Sequence, residues 1–507
     1  MRHRIVGSRC AWVCCLAIVL LGCSAGAVLA QVQNEKIAVN VDAPSQPLPH
    51  FWERMFGSGR AILSLRDSYR RDLREVKEAT GFEYIRFHAI LNDEVGVYDE
   101  VDGNSVYNFS YIDQIYDGLL KNGVRPFVEL SFMPKKLASK EVYQAFWYRP
   151  IISPPKDYAK WNDLITHLAQ HLIERYGIDE LSHWYFEVWN EPNLDFWAGD
   201  PKQSTYFELY DNTARTLKKV DPRLRVGGPA TAQAAWADAF IVHVVQNQVP
   251  ADFVSTHVYA NDTAKDVFGT DETISRTQMV CRAVRKVHDQ IKASARPELP
   301  LIFSEYNASY KNETDVTDAP FMGPWLADTI RQCDGLIDNL ALWTFSDVFE
   351  EQGVVKEPFY GGYGIIAEEN LRKPSFNAFK LLHQLGDQRI PVDSQSALVT
   401  KRADGTIVVA VWNLFLPEEP GKPKDMTLSF SGLAGAHVAR ISRVDAAHGS
   451  LIALYDSMGK PKYPTEAQLR DLRRAAELPA PEYKNVEQGK ITLELPPHGL
   501  ALIEIAK

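Results

Sequence analysis

The chain has 507 residues and a formal net charge of -10 at pH 7, with 45% hydrophobic and 24% charged residues. That balance is ordinary for a globular protein and excludes disordered, collagen-like and coiled-coil classes. The acidic excess argues against an unassisted nucleic-acid binder, because neutralising phosphates takes Lys and Arg in excess.

Residues 1–30 read as an export signal. Arg2, Arg4 and Arg9 form a basic start, and Cys10 to Leu21 is an apolar run too short to span a bilayer. Val28-Leu29-Ala30 fits cleavage before Gln31, and this is the reading taken. The alternative is the lipoprotein box Leu20-Leu21-Gly22-Cys23, in which Cys23 is lipidated and anchors the chain to a bacterial membrane. Either route predicts a periplasmic or extracellular protein. Only Cys281 and Cys333 lie beyond this segment. Pairing in an oxidising compartment and two buried free thiols are both open, since nothing in the sequence fixes their distance.

Residues 31–50 contain the run Lys36–Val41, expected to add a strand to a C-terminal sandwich. Over 51–386, short apolar or β-branched runs alternate with stretches of helical period. Strands are predicted at Phe51–Ala61, Tyr84–Leu91, Arg125–Phe132, Trp184–Trp189, Arg225–Pro229, Phe253–Tyr259, Leu301–Glu305 and Ala341–Phe345. Helical patterns follow them, as at Arg71–Thr80, Tyr158–Tyr176, Tyr206–Val220, Thr273–Ser294 and Phe376–Leu385. Eight such units predict an α/β fold, a (β/α)8 TIM barrel. A doubly wound sheet is the competitor, but Phe56-Gly57-Ser58-Gly59-Arg60 lacks the third glycine of a phosphate-binding turn. Over 387–507, alternating runs such as Ile407–Trp412, Met426–Phe430, Ile491–Leu495 and Leu500–Ile505 predict an accessory β-sandwich with a helical insertion at Thr465–Glu477.

Two glutamates carry the sharpest chemistry. Glu191, in Phe186-Glu187-Val188-Trp189-Asn190-Glu191-Pro192, falls just past predicted strand four. Pro192 is expected to hold Glu191 extended. Glu305, in Ile302-Phe303-Ser304-Glu305-Tyr306-Asn307, ends predicted strand seven. Barrel strands place functional groups at their C-terminal ends, and two carboxylates facing one cleft are what glycoside hydrolysis needs. A lone Glu after a strand is ordinarily a solvated loop residue, so the placement of both carries the argument. No HExxH motif or close His/Asp cluster suggests a metal-dependent hydrolase.

These segments, with Tyr84-Ile85-Arg86-Phe87-His88, the strand-three block Pro126–Pro134, Ser255-Thr256-His257-Val258-Tyr259, the strand-eight block Trp343–Glu351 and the Met458–Thr465 stretch, resemble glycoside hydrolase family 39. That is the family of β-xylosidases and α-L-iduronidases, and the resemblance is closer to the xylosidase branch. It implies a retaining hydrolase with Glu191 as acid/base and Glu305 as nucleophile, their carboxyls about 5–5.5 Å apart. It implies that Asn190 bonds the sugar 2-hydroxyl, that His88 and His257 bond other hydroxyls, and that Tyr259 or Tyr306 donates to Glu305. Trp343 is expected to form a stacking floor, and Glu350 and Glu351 to bind the sugar. Glu191 is expected to titrate high beside Glu305. No cofactor or metal is implied. The partner is an oligosaccharide or polysaccharide, with no nucleic acid and no membrane contact except a lipid anchor at Cys23; the oligomeric state is left undetermined.

A uronate substrate calls for a cation in the pocket. Lys265 is the first one after His257, which argues for a neutral sugar. Xylose fits best. Ala89 stands where xylosidases usually have glycine, and Asn92-Asp93-Glu94 also departs from their pattern. Arabinopyranose, galactose, iduronide, endo-action on an exopolysaccharide and a catalytically silent binding protein therefore stay as alternatives.

Overall fold

The computed structural model describes residues 33–433 and 435–506, so the export signal and Cys23 lie outside the described residues. Eight parallel strands close a barrel: β1 (Met55–Gly57), β2 (Tyr84–Phe87), β3 (Arg125–Leu130), β4 (Tyr185–Val188), β5 (Arg225–Thr231), β6 (Phe253–Tyr259), β7 (Leu301–Asn307) and β8 (Asn339–Leu342). Leu342 pairs with Phe56 to complete the ring. A helix follows each strand: α1 (Asp67–Thr80), α2 (Ser110–Leu120), α3 (Tyr158–Tyr176), α4 (Lys202–Val220), α5 (Ala237–Gln246), α6 (Met279–Lys292), α7 (Met322–Cys333) and α8 (Pro374–Leu382). The fold is a (β/α)8 barrel with an accessory sandwich.

Local chemistry explains the elements. In α3, Asp157 caps the start by accepting from the Ala159 and Lys160 N–H groups, and Trp161, Leu164, Ile165, Leu168 and Leu172 form its buried stripe. The first strand is shorter than its apolar run. Phe51 and Trp52 are fully buried, but in the turn that enters the barrel, and Ala61–Leu65 is a 3-10 turn. Tertiary packing, not strand pairing, buries those residues. The eighth strand runs Asn339–Leu342 rather than Ala341–Phe345, because the chain leaves the ladder where the Trp343 ring turns toward the cleft.

Met55, Tyr84, Phe127, Phe253, Ile302 and Ala341 plug the N-terminal end of the barrel. The next layer is polar and fully buried: Arg86, Glu129, Glu187 and Ser304. Packed barrel interiors are built in such layers, and here the polar one is the base on which the cleft stands.

The strand Gln33–Asn40 pairs in parallel with Lys424–Ser431, which pairs with Lys490–Leu495. Opposite lies a seven-stranded sheet that includes Ala397–Lys401, Ile407–Trp412, Leu500–Ile505 and His437–Val444. Val409, Val411 and Ile503 face the small sheet, whereas Val408, Ala410, Trp412 and Leu502 join the barrel core. Burial on both faces explains the unbroken apolar run Ile407–Trp412. The insertion forms two helices, Ile452–Ser457 and Glu466–Ala475, the second closed by a capping box of Thr465 and Gln468. Leu469 and Leu472 pack on Phe359 and Leu371, so the insertion rests on the β8–α8 connection. Cys281 in α6 and Cys333 in α7 form a disulfide, with Cα atoms 5.2 Å apart.

Candidate active site

A cleft of about 460 Å³ opens at the C-terminal ends of the strands. Its lining includes His88, Asn190, Glu191, Tyr259, Glu305, Trp343 and Glu351. The structure thus brings seven of the sequence-predicted residues to one site, and moves three others elsewhere.

Glu191 does not take the extended backbone expected before Pro192. Its φ is +43°, a value non-glycine residues rarely adopt. The Glu191 N–H donates to the Ala230 carbonyl at 2.7 Å, and the Leu194 N–H donates back to Glu191 at 3.0 Å. The turn that carries Asn190 and Glu191 together over the rim outweighs the proline preference, as strained residues at functional sites do.

Glu305 reaches the cleft through a bulge. Thr256 pairs with Phe303 but His257 pairs with Glu305, leaving Ser304 as the extra residue of β7. Ser304 and Glu305 then both point inward, the re-aiming that bulges perform. Tyr306 is turned outward in consequence. Its ring stacks on Trp325 of α7, 5.9 Å between centroids, and its hydroxyl finds no partner among the described residues. Tyr306 therefore does not touch Glu305, and Tyr259 does, donating to Oε2 at 2.7 Å.

Arg86, to which the sequence reading gives no role, is the centre of the polar layer. It donates to Glu305 Oε1 at 2.7 Å, Glu187 Oε2 at 2.6 Å and Asn190 Oδ1 at 2.9 Å, and lies 2.8 Å from Glu129 Oε2. Accepting through Oδ1 leaves the Asn190 amide NH2 for the cleft. Glu129 also accepts from Ser131 and bonds His88 Nδ1 at 2.7 Å. His88 Nε2 then faces the cleft, 3.5 Å from Glu351 and 3.8 Å from Glu305.

His257 is the second departure. It is fully buried beneath the cleft, and both its nitrogens are engaged by protein: Nδ1 lies 3.1 Å from Glu191 Oε1 and Nε2 lies 3.1 Å from Ser304 Oγ. It positions Glu191 rather than a sugar hydroxyl. The bonding fixes its tautomer. The Ser304 hydroxyl spends its proton on Glu187 Oε1 at 2.7 Å, so Nε2 must donate to Ser304. Burial and the Arg86 and His88 charges hold the imidazole pKa well below its ordinary value, so Nδ1 is bare and accepts. The donor between Nδ1 and Glu191 is then the carboxylic acid of Glu191. The electrostatics agree: burial first, then the charges of Glu305 and Asp262, push the Glu191 pKa well above the carboxylate range.

Glu350 is the third departure. Arg60 holds it at 3.2 Å and Arg66 at 2.6 Å, away from the cleft. Its neighbour Glu351 lines the cleft instead, and burial followed by the charges of Glu305 and Glu191 raises its pKa well above the ordinary value. Trp343 forms the floor. Gly57 on β1 makes room for it, since a Cβ there would lie 2.1 Å from Trp343 Cε3. Asp262, Phe146, Phe196, Gln233 and Tyr310 complete the walls unforeseen by the sequence reading. Burial raises the Asp262 pKa to about 7.

One donor atom each of Glu191, His257 and Glu305 lies within 4.8 Å of the others. Such a trio could chelate an ion. Here Glu305 Oε1 already accepts from the Arg86 guanidinium and His257 is saturated, so the set fits proton chemistry better than metal ligation.

A (β/α)8 barrel with such a carboxyl pair over a fixed cation defines a glycoside hydrolase. The chain belongs to family 39 of the glycosyl hydrolases, whose family model matches residues 35–489. A β-xylosidase of Geobacillus stearothermophilus is 37% identical over 92% of this chain and 95% of its own. The crystal structure of a monomeric β-xylosidase from Caulobacter crescentus CB15 superposes with a TM-score of 0.85 at 33% identity, covering 93% of this chain and 99% of that one. An α-L-iduronidase of Mus musculus matches over only 30% of this chain and 22% of its own, at 30% identity. The substrate is a carbohydrate.

Proposed function

We propose that the chain is an exo-acting, retaining β-xylosidase that releases xylose from xylan fragments. The observation that carries retention is that one carboxyl oxygen of Glu191 and one of Glu305 lie within 4.8 Å of each other, a close pair of the kind that double displacement uses, where inversion needs the two groups spread to admit a water.

Glu191 donates its proton to the glycosidic oxygen as the Glu305 carboxylate, held in place by Arg86 and Tyr259, attacks the anomeric carbon. The aglycone leaves and a glycosyl ester on Glu305 remains. Glu191, now a base, takes a proton from water as that water displaces Glu305, and the sugar departs with its configuration retained. Asn190 donates to the 2-hydroxyl, a bond that strengthens in the oxocarbenium-like transition state. His88 and Glu351 engage the outer hydroxyls over Trp343.

A neutral sugar is supported by the lining: among the described residues no Lys or Arg side chain faces the cleft. Lys265 is exposed and pairs with Asp271.

The test is a panel of aryl β-D-xyloside, α-L-arabinopyranoside, β-D-galactoside and α-L-iduronide, with NMR of the first-formed anomer. The β-xyloside is expected to be preferred, with retention, and Glu305→Ala to abolish turnover. Preference for the iduronide, or undiminished activity of Glu305→Ala, sinks the reading.

Export belongs to the same proposal. The Cys281–Cys333 disulfide supports it, since such bonds persist in oxidising compartments. The mass of the chain isolated from cell fractions distinguishes a mature start at Gln31 from a lipidated Cys23, and an uncleaved chain in the cytoplasm overturns export.

A further inference from the structure

We propose that His50, Glu53 and His383 form a binding site for a divalent transition-metal ion of the zinc class, at the foot of the barrel opposite the cleft. His50 and Glu53 lie in the segment that enters β1, and His383 directly follows α8, where the chain leaves for the sandwich. Glu53 and His383 are 330 residues apart in the chain. The neighbouring backbone already joins these segments, since the Leu48 N–H donates to the Asp387 carbonyl at 2.8 Å.

Both imidazoles aim Nδ1 at one carboxylate oxygen. His50 Nδ1 lies 2.5 Å and His383 Nδ1 2.9 Å from Glu53 Oε1. All three donor atoms fall within 4.8 Å of one another. Glu53 is only 4% exposed, and its second oxygen, Oε2, is buried without a hydrogen-bond partner among the described residues. A buried, unpartnered carboxylate oxygen costs stability that a cation recovers. Two imidazoles and one carboxylate, with the fourth position left to water, is a recurrent zinc set. Imidazole nitrogen beside carboxylate oxygen suits zinc, cobalt or nickel better than calcium or magnesium.

The fit asks for a small movement. Metal–ligand bonds of about 2.0–2.2 Å put tetrahedral donors roughly 3.3 Å apart, so each ring retreats by less than an ångström. Each neutral ring also carries its proton on Nε2, with Nδ1 given to the metal. His50 and His383 side chains are 24% and 36% exposed, which leaves them room for both changes. Arg402, whose charge acts on His383, is committed to the Gln384 carbonyl and to Glu504. An ion here clasps the two ends of the barrel together, where closing a long loop counts most.

The test uses untagged full chain stripped by a chelator and titrated with CoCl2, then ZnCl2. The expected result is one equivalent of Co2+ with visible d–d bands, displaced by Zn2+, and a Zn2+-dependent rise in Tm. Glu53→Gln and His383→Gln should lose the bands and the Tm rise. The partly exposed His50→Gln is a third variant should either fold poorly, and metal-free hydrolysis of aryl glycoside should be unchanged in each folded variant. Glu305→Gln should keep the Co2+ bands, which separates this site from the cleft. No Co2+ uptake by the parent protein overturns the proposal, as does uptake that survives in all three junction variants or vanishes in Glu305→Gln.

Discussion

Ser304 donates its hydroxyl proton to Glu187 at 2.7 Å, below the floor of the cleft, and this bond decides which nitrogen of His257 carries hydrogen. The consequence reaches Glu191, which must donate to the bare Nδ1. In Ser304→Ala, Nε2 loses its acceptor and the imidazole is free to move its proton to Nδ1. Nδ1–H then donates to ionised Glu191 and favours it. A hydrogen bond donated to the charged form favours that form, so the pKa of Glu191 falls. The alkaline limb of the kcat/KM profile moves to lower pH, with the acid limb in place. An unmoved alkaline limb contradicts the tautomer assignment.

Arg86 meets three glutamates and Asn190 with one planar fork. A lysine keeps the charge but cannot span those acceptors. Arg86→Lys should therefore fold, yet lose the alignment of Glu305 and Asn190 together. Misplacement by about an ångström costs on the order of a hundredfold, and the loss should appear in kcat/KM for aryl xyloside. Circular dichroism and Tm separate this from unfolding.

Asp262 adds to the high pKa of Glu191 only while it is itself ionised, which is above about 7. Asp262→Asn removes that repulsion. Glu191 then loses its proton at lower pH, so the variant should fall below the parent on the alkaline side. Below pH 7 the parent's Asp262 is mostly neutral, and the two profiles should superimpose. A uniform drop across the whole range would mean that Asp262 acts by binding sugar instead.

The barrel was legible because its signal repeats: the spans of α3 and β6 coincide with their apolar patterns. Strand ends were less so, since Phe51 and Trp52 are buried in a turn that local sequence cannot distinguish from a strand. Glu191 and Glu305 were found from strand-end position. Arg86 was not, although Tyr84, Arg86 and His88 alternate at period two and so share the inward face. That alternation, applied to β2 with Tyr84 as the plug residue, is the signal that could have found it. Tyr306 misled for the opposite reason. A one-residue bulge at Ser304 inverts the face of everything after it, and no local residue pattern announces it. Glu350 and Glu351 are adjacent and chemically equal; only the positions of Arg60 and Arg66, far away in sequence, decide which one faces the cleft.

Lys373 tests whether the wall that carries Glu351 is held from behind. Its ammonium is fully buried, 2.7 Å from Asp318 and 2.7 Å from Asp347, and it donates to the Gly362 carbonyl at 2.9 Å. Asp318 accepts from the Gly361 N–H and Asp347 from the Gly364 N–H, so the three charges pin the strand-eight loop at 361–364. Tyr363 of that loop lines the cleft, as does Glu351 earlier in the same connection. Lys373→Met leaves two buried carboxylates facing each other without a cation, a change that costs about 3–5 kcal/mol. Burial already holds the Asp347 pKa at about 6 even with the lysine present. Burial raises both carboxyls above their unfolded values, and without Lys373 both are pushed higher still. Such groups stabilise the fold in acid and lose that contribution as pH rises through the folded pKa. The urea midpoint of Lys373→Met should accordingly be lower than that of the parent, and the gap should widen from pH 5 to pH 8. KM for aryl xyloside should rise more than kcat falls, because the variant loosens the sugar-facing wall and leaves Glu191 and Glu305 on their own strands. A midpoint gap independent of pH would show that the two aspartates are compensated by something other than Lys373.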